Sequence, residues 1–192
     1  MKRFLSTMAS AVALLAGGAA QAALITFNDP GVIQIDGDTA TYAEAGYNIS
    51  GPATSFLLIE EPPATGVLVG GFFDAGFFSL TAMNRGPFAL LGLDFGYYDL
   101  GDTPGTLSIV GLLDGLQVGA LDLGLGALTR ISFDAAFANV TEVRFSATSG
   151  FMLDNISAVP EPDSLALATG ALMVLGFGLF KRREKTGAAA RG

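Results

Sequence analysis

Carboxylates are the reactive side chains that this sequence offers in number. Residues 23–158 hold fifteen Asp and Glu but only three Arg and no Lys, a net charge of −12 against −8 for the whole chain. Carboxylates bind divalent cations, and two of them on facing strands hydrolyse glycosidic bonds in many enzymes. No spacing here places two acids opposite each other, and no nucleophile motif accompanies them. The charge also repels nucleic acid, so we expect no nucleic-acid partner.

Three residue types are missing, and their absence excludes several chemistries. The chain has no Cys, no His and no Trp. Without Cys there is no disulfide, thiol nucleophile or lipoprotein anchor, and without His there is no Ser-His-Asp triad and no usual zinc site. Without Trp the strongest sugar-stacking side chain is lacking. We therefore predict that the protein is not an enzyme, and a glycoside hydrolase is the weakest alternative.

The segment DFGYYDLGD offers the best sugar platform. Tyr97 and Tyr98 supply rings that stack on sugars, and the neighbouring Asp99 and Asp102 supply carboxylates that accept hydroxyl protons. Adjacent residues of a strand point to opposite faces, so at most one of the two rings is presented. The alternative is one tyrosine in the core and one at its rim. Tyr97, Tyr98 and Asp99 are the candidate carbohydrate-binding residues.

Asp154 in the stretch FMLDNI is an acid placed among apolar residues. A strand period of two puts Asp154 on the face of Met152 and Ile156, and Asn155 on the face of Phe151. One of the two polar side chains must then lie against apolar neighbours and needs a hydrogen-bonding or ionic partner.

Short strand-like runs separated by Gly, Pro, Asn and Asp position these residues. The runs recur roughly every 8–12 residues over 23–158, which predicts an all-β fold, an antiparallel β-sandwich of the jelly-roll kind. Alternation is clearest in VTEVRFSA, where Val143 and Phe145 oppose Glu142 and Arg144. We expect a hairpin turn at Asp114-Gly115 and a loop over 60–66. These 136 residues suit one domain.

Both ends of the chain read as targeting segments. Lys2 and Arg3, an apolar run and the small-x-small site Ala20-Gln21-Ala22 predict a secretory signal peptide over residues 1–22. Near the other end, an apolar stretch predicts a single transmembrane helix over about 164–180, at the short limit for crossing a bilayer. The basic residues that follow keep residues 186–192 cytoplasmic, so residues 23–158 are exported.

The C-terminal region resembles the PEP-CTERM sorting signal of Gram-negative bacteria. The matching parts, over residues 159–185, are Val159-Pro160-Glu161-Pro162, the apolar helix and the cluster Lys181-Arg182-Arg183. The resemblance implies recognition by an exosortase, cleavage near the Pro-Glu-Pro and transfer from the inner membrane to the cell surface or beyond. It also implies association with exopolysaccharide and biofilm. The alternative is an ordinary tail-anchored protein.

The middle of the chain is similar to the β-jelly-roll ectodomain of PEP-CTERM proteins, a galactose-binding-like sandwich. The stretches that carry the resemblance are ITFNDP, NRGPFALLGLDFG, TLSIVGLLDG and the segment ending in SAVPEP. In such folds the first and last strands lie together. The resemblance implies a structural calcium at Asp154, with oxygen ligands from Asn28 or Asp29. The alternative is that Asp154 hydrogen-bonds its neighbours and binds no metal.

Two functions from different classes follow. The first is an exported surface or matrix protein, structural or adhesive in exopolysaccharide, whose partners are the secretion machinery, the exosortase and, transiently, the inner membrane. The second is a calcium-supported carbohydrate-binding module. A concave groove with an exposed tyrosine and convergent acids favours the second, and a closed surface with neither favours the first.

Overall fold

The computed structural model describes residues 21–28, 33–55, 57–61, 64–70 and 76–161. They belong to one compact unit, Gln21–Glu161. Several predicted segments lie outside the described residues: residues 1–20 of the signal peptide, the apolar stretch over 164–180, the cluster Lys181-Arg182-Arg183 and residues 186–192. Within the described ranges, no helix has the length and apolar character needed to cross a membrane.

Thirteen strands and two short 3-10 helices make up the described part. The strands are β1 (Ala23–Ile25), β2 (Gln34–Asp36), β3 (Thr39–Glu44), β4 (Tyr47–Pro52), β5 (Leu57–Glu61), β6 (Ala64–Gly70), β7 (Phe78–Ala82), β8 (Phe88–Tyr97), β9 (Thr106–Leu113), β10 (Leu116–Gly124), β11 (Thr129–Ser132), β12 (Glu142–Ala147) and β13 (Phe151–Pro160). The 3-10 helices are Ala53–Ser55 and Ala135–Phe137.

The strands form two antiparallel sheets. The seven-stranded sheet has the order β10-β9-β12-β7-β4-β3-β2. The six-stranded sheet has the order β11-β8-β13-β6-β5, and β1 pairs with β13. The prediction of an all-β antiparallel sandwich is confirmed. The expected pairing of first and last strands is also present, with Ala23 opposite Ala158 and Ile25 opposite Ile156.

The core lies between the sheets and is built from the inward side of each alternating strand. Val143 and Phe145 in β12 are fully buried, whereas Glu142 and Arg144 are partly exposed, as their alternation predicts. Phe78 packs edge-on against Phe151 at a ring-centroid distance of 5.6 Å, which joins the two sheets. Apolar burial of this kind stabilises the sandwich because each strand hides only one face.

Two turn predictions have different outcomes. Asp114-Gly115 forms the two-residue turn between β9 and β10, with φ of 51° and 81° and Leu113 opposite Leu116. Positive φ at both positions is the hairpin geometry that an Asp-Gly pair favours. The loop expected over 60–66 is wrong, because Glu61 and Ala64 are paired and only residues 62–63 connect β5 to β6.

Candidate functional site

A β-bulge in the last strand determines which side chains surround Asp154. Asn155 has a φ of 48°, and the register with β8 shifts between Asp154 and Ser157. The extra residue interrupts the alternation, so Leu153, Asp154 and Ile156 are all buried. Met152 and Asp154, opposite Gly96 and Asp94, share a face as predicted. The prediction is wrong for Ile156, because the bulge turns the residues after Asp154 to the other face.

Asp154 lies within a row of charged and polar side chains across the six-stranded sheet. It stands opposite Asp94 in β8, and Asp94 stands opposite Arg130 in β11. The Asn155 side-chain amide donates to Asp94 Oδ2 at 2.8 Å and to Asp154 Oδ2 at 3.0 Å. Arg130 Nη1 lies 3.1 Å from Asp94 Oδ1. One amide and one guanidinium therefore hold two carboxylates side by side.

Burial raises the pKa of Asp154 to about 6, and the nearby charges of Asp94 and Glu44 add to the shift. A hydrogen bond from the Asn155 backbone N–H to Asp154 Oδ1, at 2.6 Å, opposes it. The side chain is 7% exposed, so desolvation of the charged form dominates. The ionised form of Asp154 therefore destabilises the folded state relative to the protonated form.

Glu44 is a structural clamp next to this row. Its carboxylate accepts hydrogen bonds from the backbone N–H groups of Thr26 and Phe27 at 3.0 and 2.9 Å. The hydroxyls of Thr26 and Tyr42 donate to it at 3.0 Å each. Four bonds to one carboxylate attach the residues after β1 to the end of β3.

The described residues do not assemble the predicted calcium shell. Asn28 is exposed, and Asp29 lies outside the described residues. Among the residues that are described, no group of three acidic side chains is placed to hold a metal ion. The carboxylate oxygens of Glu44 and Asp154 already accept hydrogen bonds from protein groups. A calcium ion ligated by Asp154 stays a prediction.

Tyr97 closes a loop at the end of β8. Its hydroxyl donates to two oxygens of Asp102, the carboxylate Oδ1 at 2.9 Å and the backbone carbonyl oxygen. The same hydroxyl lies 3.4 Å from Asp99 Oδ1. Asp102 Oδ2 also accepts from the Gly150 N–H at 3.1 Å. The bonds therefore tie the β8–β9 loop to the β12–β13 turn.

These bonds engage the polar groups of the predicted tyrosine platform. Desolvation and the carboxylates of Asp102 and Asp99 raise the pKa of Tyr97 to about 12. The Asp99 carboxylate also accepts the Gly101 N–H at 2.9 Å, and the Tyr98 N–H bonds Gly150. The structure thus brings Tyr97 and Asp99 together, as a loop closure. Tyr98, which follows the end of β8, is partly exposed.

A groove that the sequence did not predict lies on the outer face of strands β2–β4. Its volume is about 630 Å³. It is lined by Gln34, Asp36, Thr39, Thr41, Ala43, Asn48 and Met83. Tyr42 and Ile49 of the same strands point into the core, so the lining side chains face outward. The alternation in TATYAE indicates which side chains of β3 face outward, but it does not indicate which strands lie beside β3.

A row of polar side chains extends the groove across the seven-stranded sheet. Directly paired residues share a face, and the pairs run from Gln34 to Thr41, Ser50, Ser79 and Arg144. The Thr41 and Ser50 hydroxyls are hydrogen-bonded at 2.9 Å. Five strands at about 4.8 Å spacing make this row roughly 19 Å wide. We call the groove together with this row the polar face.

Phe77 stands at the far side of the polar face. It lies two residues before Ser79 and is 43% exposed. The Arg144 guanidinium carbon is 4.3 Å from the centre of its ring. Glu142 holds Arg144 through two bonds of 2.7 and 3.2 Å, and Ser79 donates to Glu142 at 2.8 Å. These contacts lower the pKa of Glu142, chiefly through the Arg144 hydrogen bond.

The first two residues of the predicted sorting motif end the last strand, and the third is hydrogen-bonded beside it. Val159 and Pro160 belong to β13, opposite Ala89 and Phe88 of β8. The Glu161 N–H donates to the Pro87 carbonyl at 3.0 Å. Pro162 lies outside the described residues. The start of the motif is thus attached to the sandwich by strand pairing.

Comparison with known proteins supports the fold and no family. No family model matches the chain, and no curated protein gives a significant match. A DUF4465 family protein from Bacteroides caccae is similar in structure, with 12% identity and a TM-score of 0.54 over 73% of this chain and 100% of that chain. A family 29 carbohydrate-binding module from Piromyces equi has 13% identity and a TM-score of 0.43 over 74% and 91% of the two chains. At 12% identity the likeness to the DUF4465 family protein concerns the sandwich fold alone.

Proposed function

We propose that this chain is an exported surface or matrix protein whose sandwich binds polysaccharide through the polar face. The observation that carries the proposal is the groove of about 630 Å³ with its polar lining. Its lining combines amide, carboxylate and hydroxyl groups with the apolar side chains of Ala43 and Met83. Sugar rings present hydroxyl groups at their edges and C–H groups on their faces, so this mixture of side chains matches them.

The proposed role is binding without catalysis. Asp94 and Asp154, which stand opposite each other in the six-stranded sheet, are bridged by Asn155, and Asp94 is paired with Arg130. A glycosidase needs one carboxyl group on each side of a scissile bond, with room between them for the sugar. The amide of Asn155 occupies that position here. In the groove, Asp36 is the single acidic residue of the lining.

Export and sorting complete the proposal. The signal peptide would deliver the sandwich across the inner membrane, and an exosortase would process the PEP-CTERM signal. The partner at the destination would be exopolysaccharide. Intact-mass measurement and cell fractionation, in the host with and without its exosortase, test this part. Loss of residues 1–22 and of the tail beyond the Pro-Glu-Pro supports it, whereas a full-length chain retained in the inner membrane contradicts it.

A matched pair of glutamine variants tests the binding site. Gln34 lies in the groove on edge strand β2, and Gln117 is exposed on β10, the opposite edge of the same sheet. Affinity electrophoresis of the full-length chain in gels containing a polysaccharide gives a dissociation constant. We expect Gln34→Ala to weaken binding about threefold to tenfold, the effect of one hydrogen bond. Gln117→Ala should bind as the parent does. Equal effects of the two changes would contradict the proposed site.

A further inference from the structure

Phe77 differs from the other aromatic side chains that the structure describes. It is the one aromatic ring among the large apolar side chains that are exposed there, at 43%. Its neighbour Phe78 is 2% exposed and fills the core, so alternation directs Phe77 outward onto the polar face. An exposed ring beside a polar groove is the arrangement in which aromatic side chains stack on ligands.

The ring is held in one orientation before any ligand arrives. Arg144 lies over it at 4.3 Å from the ring centre, within the range of a cation–π contact. Glu142 fixes that guanidinium through two hydrogen bonds and is itself bonded to Ser79. Bidentate pairs of this kind restrict both side chains. A ring that is already ordered loses little conformational entropy when a ligand stacks on it.

The charges of the polar face indicate which polysaccharides it accepts. Arg144 is the cation of the row, and its charge is compensated by Glu142 at 2.7 Å. Asp36 adds a negative charge at the groove end, and the whole chain carries −8. An anionic sugar would therefore meet net repulsion. A neutral sugar encounters hydroxyl, amide and aromatic groups and pays no such cost.

The distance between the two features sets the size of the ligand. Phe77 precedes β7, and Gln34 lies in β2, three strands away in the sheet. At about 4.8 Å per strand the separation across the strands is roughly 14 Å, and the two-residue offset of Phe77 from Ser79 adds about 6.6 Å along the strand. A single sugar ring cannot contact both side chains, whereas an extended chain crossing the strands can.

We infer that Phe77 is a sugar-stacking subsite of the polar face and that the ligand is an extended neutral polysaccharide. The inference rests on the proposed binding function and adds to it a residue and a ligand class. Arg144, Glu142 and Ser79 are positioning residues that hold the ring. The groove binds one part of the polysaccharide through hydrogen bonds, and Phe77 binds another part through the face of a sugar ring.

Affinity electrophoresis with a panel of polymers tests the inference. The probes are hydroxyethyl cellulose, galactomannan and dextran as neutral polymers, and alginate as an anionic one. The proteins are the full-length parent, Phe77→Leu, which removes the ring, and Phe77→Trp, which keeps one. We expect the parent to bind at least one neutral polymer and not alginate. Phe77→Leu should bind that polymer about threefold to tenfold more weakly, and Phe77→Trp should retain the parent affinity.

The outcomes separate the inference from the proposed function. If the parent binds a neutral polymer and Phe77→Leu binds it equally well, the stacking subsite is wrong while polysaccharide binding stands. Preferential binding to alginate overturns the neutral ligand class alone. Absence of binding to every polymer overturns the proposed function and the inference together. Thermal unfolding of each variant shows whether a loss of binding reflects a loss of fold.

Discussion

Asp154 stands directly opposite Asp94 on neighbouring strands, and the side-chain amide of Asn155 bridges the two carboxylates at 3.0 and 2.8 Å. Like charges opposite each other in a sheet are destabilising. The bridge exists because Asn155 occupies a bulge with positive φ, a conformation that asparagine tolerates better than most residues. The bulge therefore places the Asn155 amide between the two carboxylates, where it reduces their repulsion.

The buried carboxyl of Asp154 makes stability depend on pH. Its pKa is about 6 in the folded state and close to 3.8 when unfolded, so the native state binds more protons between these values. Stability from this group is fully present below about pH 4 and is lost as the pH rises through 6. We expect Asp154→Asn to gain about 1–3 kcal/mol relative to the parent between pH 4 and pH 7.5. Urea unfolding at both pH values measures it.

The neighbouring charges define the control for this experiment. Asp94, Glu44 and Arg130 face Asp154 or its partners, and all three remain in the variant. Asp38→Asn, at an exposed turn position, supplies the baseline for removing one negative charge from the protein. A free-energy difference between parent and Asp154→Asn that is the same at both pH values would show that Asp154 is not the titrating group.

The Tyr97–Asp102 contact gives a spectroscopic prediction. Desolvation and the hydrogen bond to Asp102 raise the pKa of Tyr97 to about 12, and the same hydrogen bond lowers the pKa of Asp102. Removing the carboxylate charge in Asp102→Asn should return the Tyr97 pKa toward 10. Ultraviolet titration of tyrosinate should then show one more tyrosine ionising below pH 11. Tyr97→Phe in the same background should remove that extra transition, and its persistence would assign it to another tyrosine.

A pair of glycines tests how tightly the core is packed around Phe78. A methyl group added at Gly51 in β4 would lie 2.6 Å from the Phe78 ring, whereas one added at Gly124 in β10 meets nothing within 4 Å. We expect Gly51→Ala to cost about 1–3 kcal/mol through overpacking. Gly124→Ala should be neutral or stabilising by up to about 1 kcal/mol, since alanine restricts the unfolded chain. Similar losses at both glycines in denaturant unfolding would contradict the described core.

The pairing of β13 predicts where processing stops. Val159 and Pro160 are paired with β8, and Glu161 is bonded to Pro87. A protease needs an extended, unpaired backbone, so a cut before Glu161 would first require the end of the strand to detach. We expect the mature chain to retain Glu161. C-terminal peptide mass spectrometry of the secreted form checks this, and a chain ending before Val159 would contradict it.

The sandwich was predictable because its signals are local. Alternation in β12 and the Asp114-Gly115 turn each depend on a few adjacent residues, and both are confirmed. Asp154 was singled out correctly as an acid among apolar residues. The directions of Asn155 and Ile156 were missed because a bulge turns the side chains that follow it, and an asparagine marks a bulge less clearly than a glycine does.

The polar face was not predictable from the sequence for a different reason. Gln34, Ser79 and Arg144 lie in distant parts of the sequence and share a row only through the strand order β12-β7-β4-β3-β2. Local alternation shows that one of Phe77 and Phe78 faces outward. The register with Arg144 and Ser79 decides which one, and shows what lies beside it.

Hydrogen–deuterium exchange of the full-length chain, with and without a bound neutral polysaccharide, tests the central claim most directly. If the polar face is the binding surface, peptides covering residues 34–52 and 76–82 should exchange more slowly in the complex. Peptides covering the β9–β10 hairpin should be unchanged, because β10 lies at the opposite edge of the same sheet. Protection centred on Tyr97 and Tyr98 instead, with none over 34–52, would contradict the assignment and place the site at the end of β8.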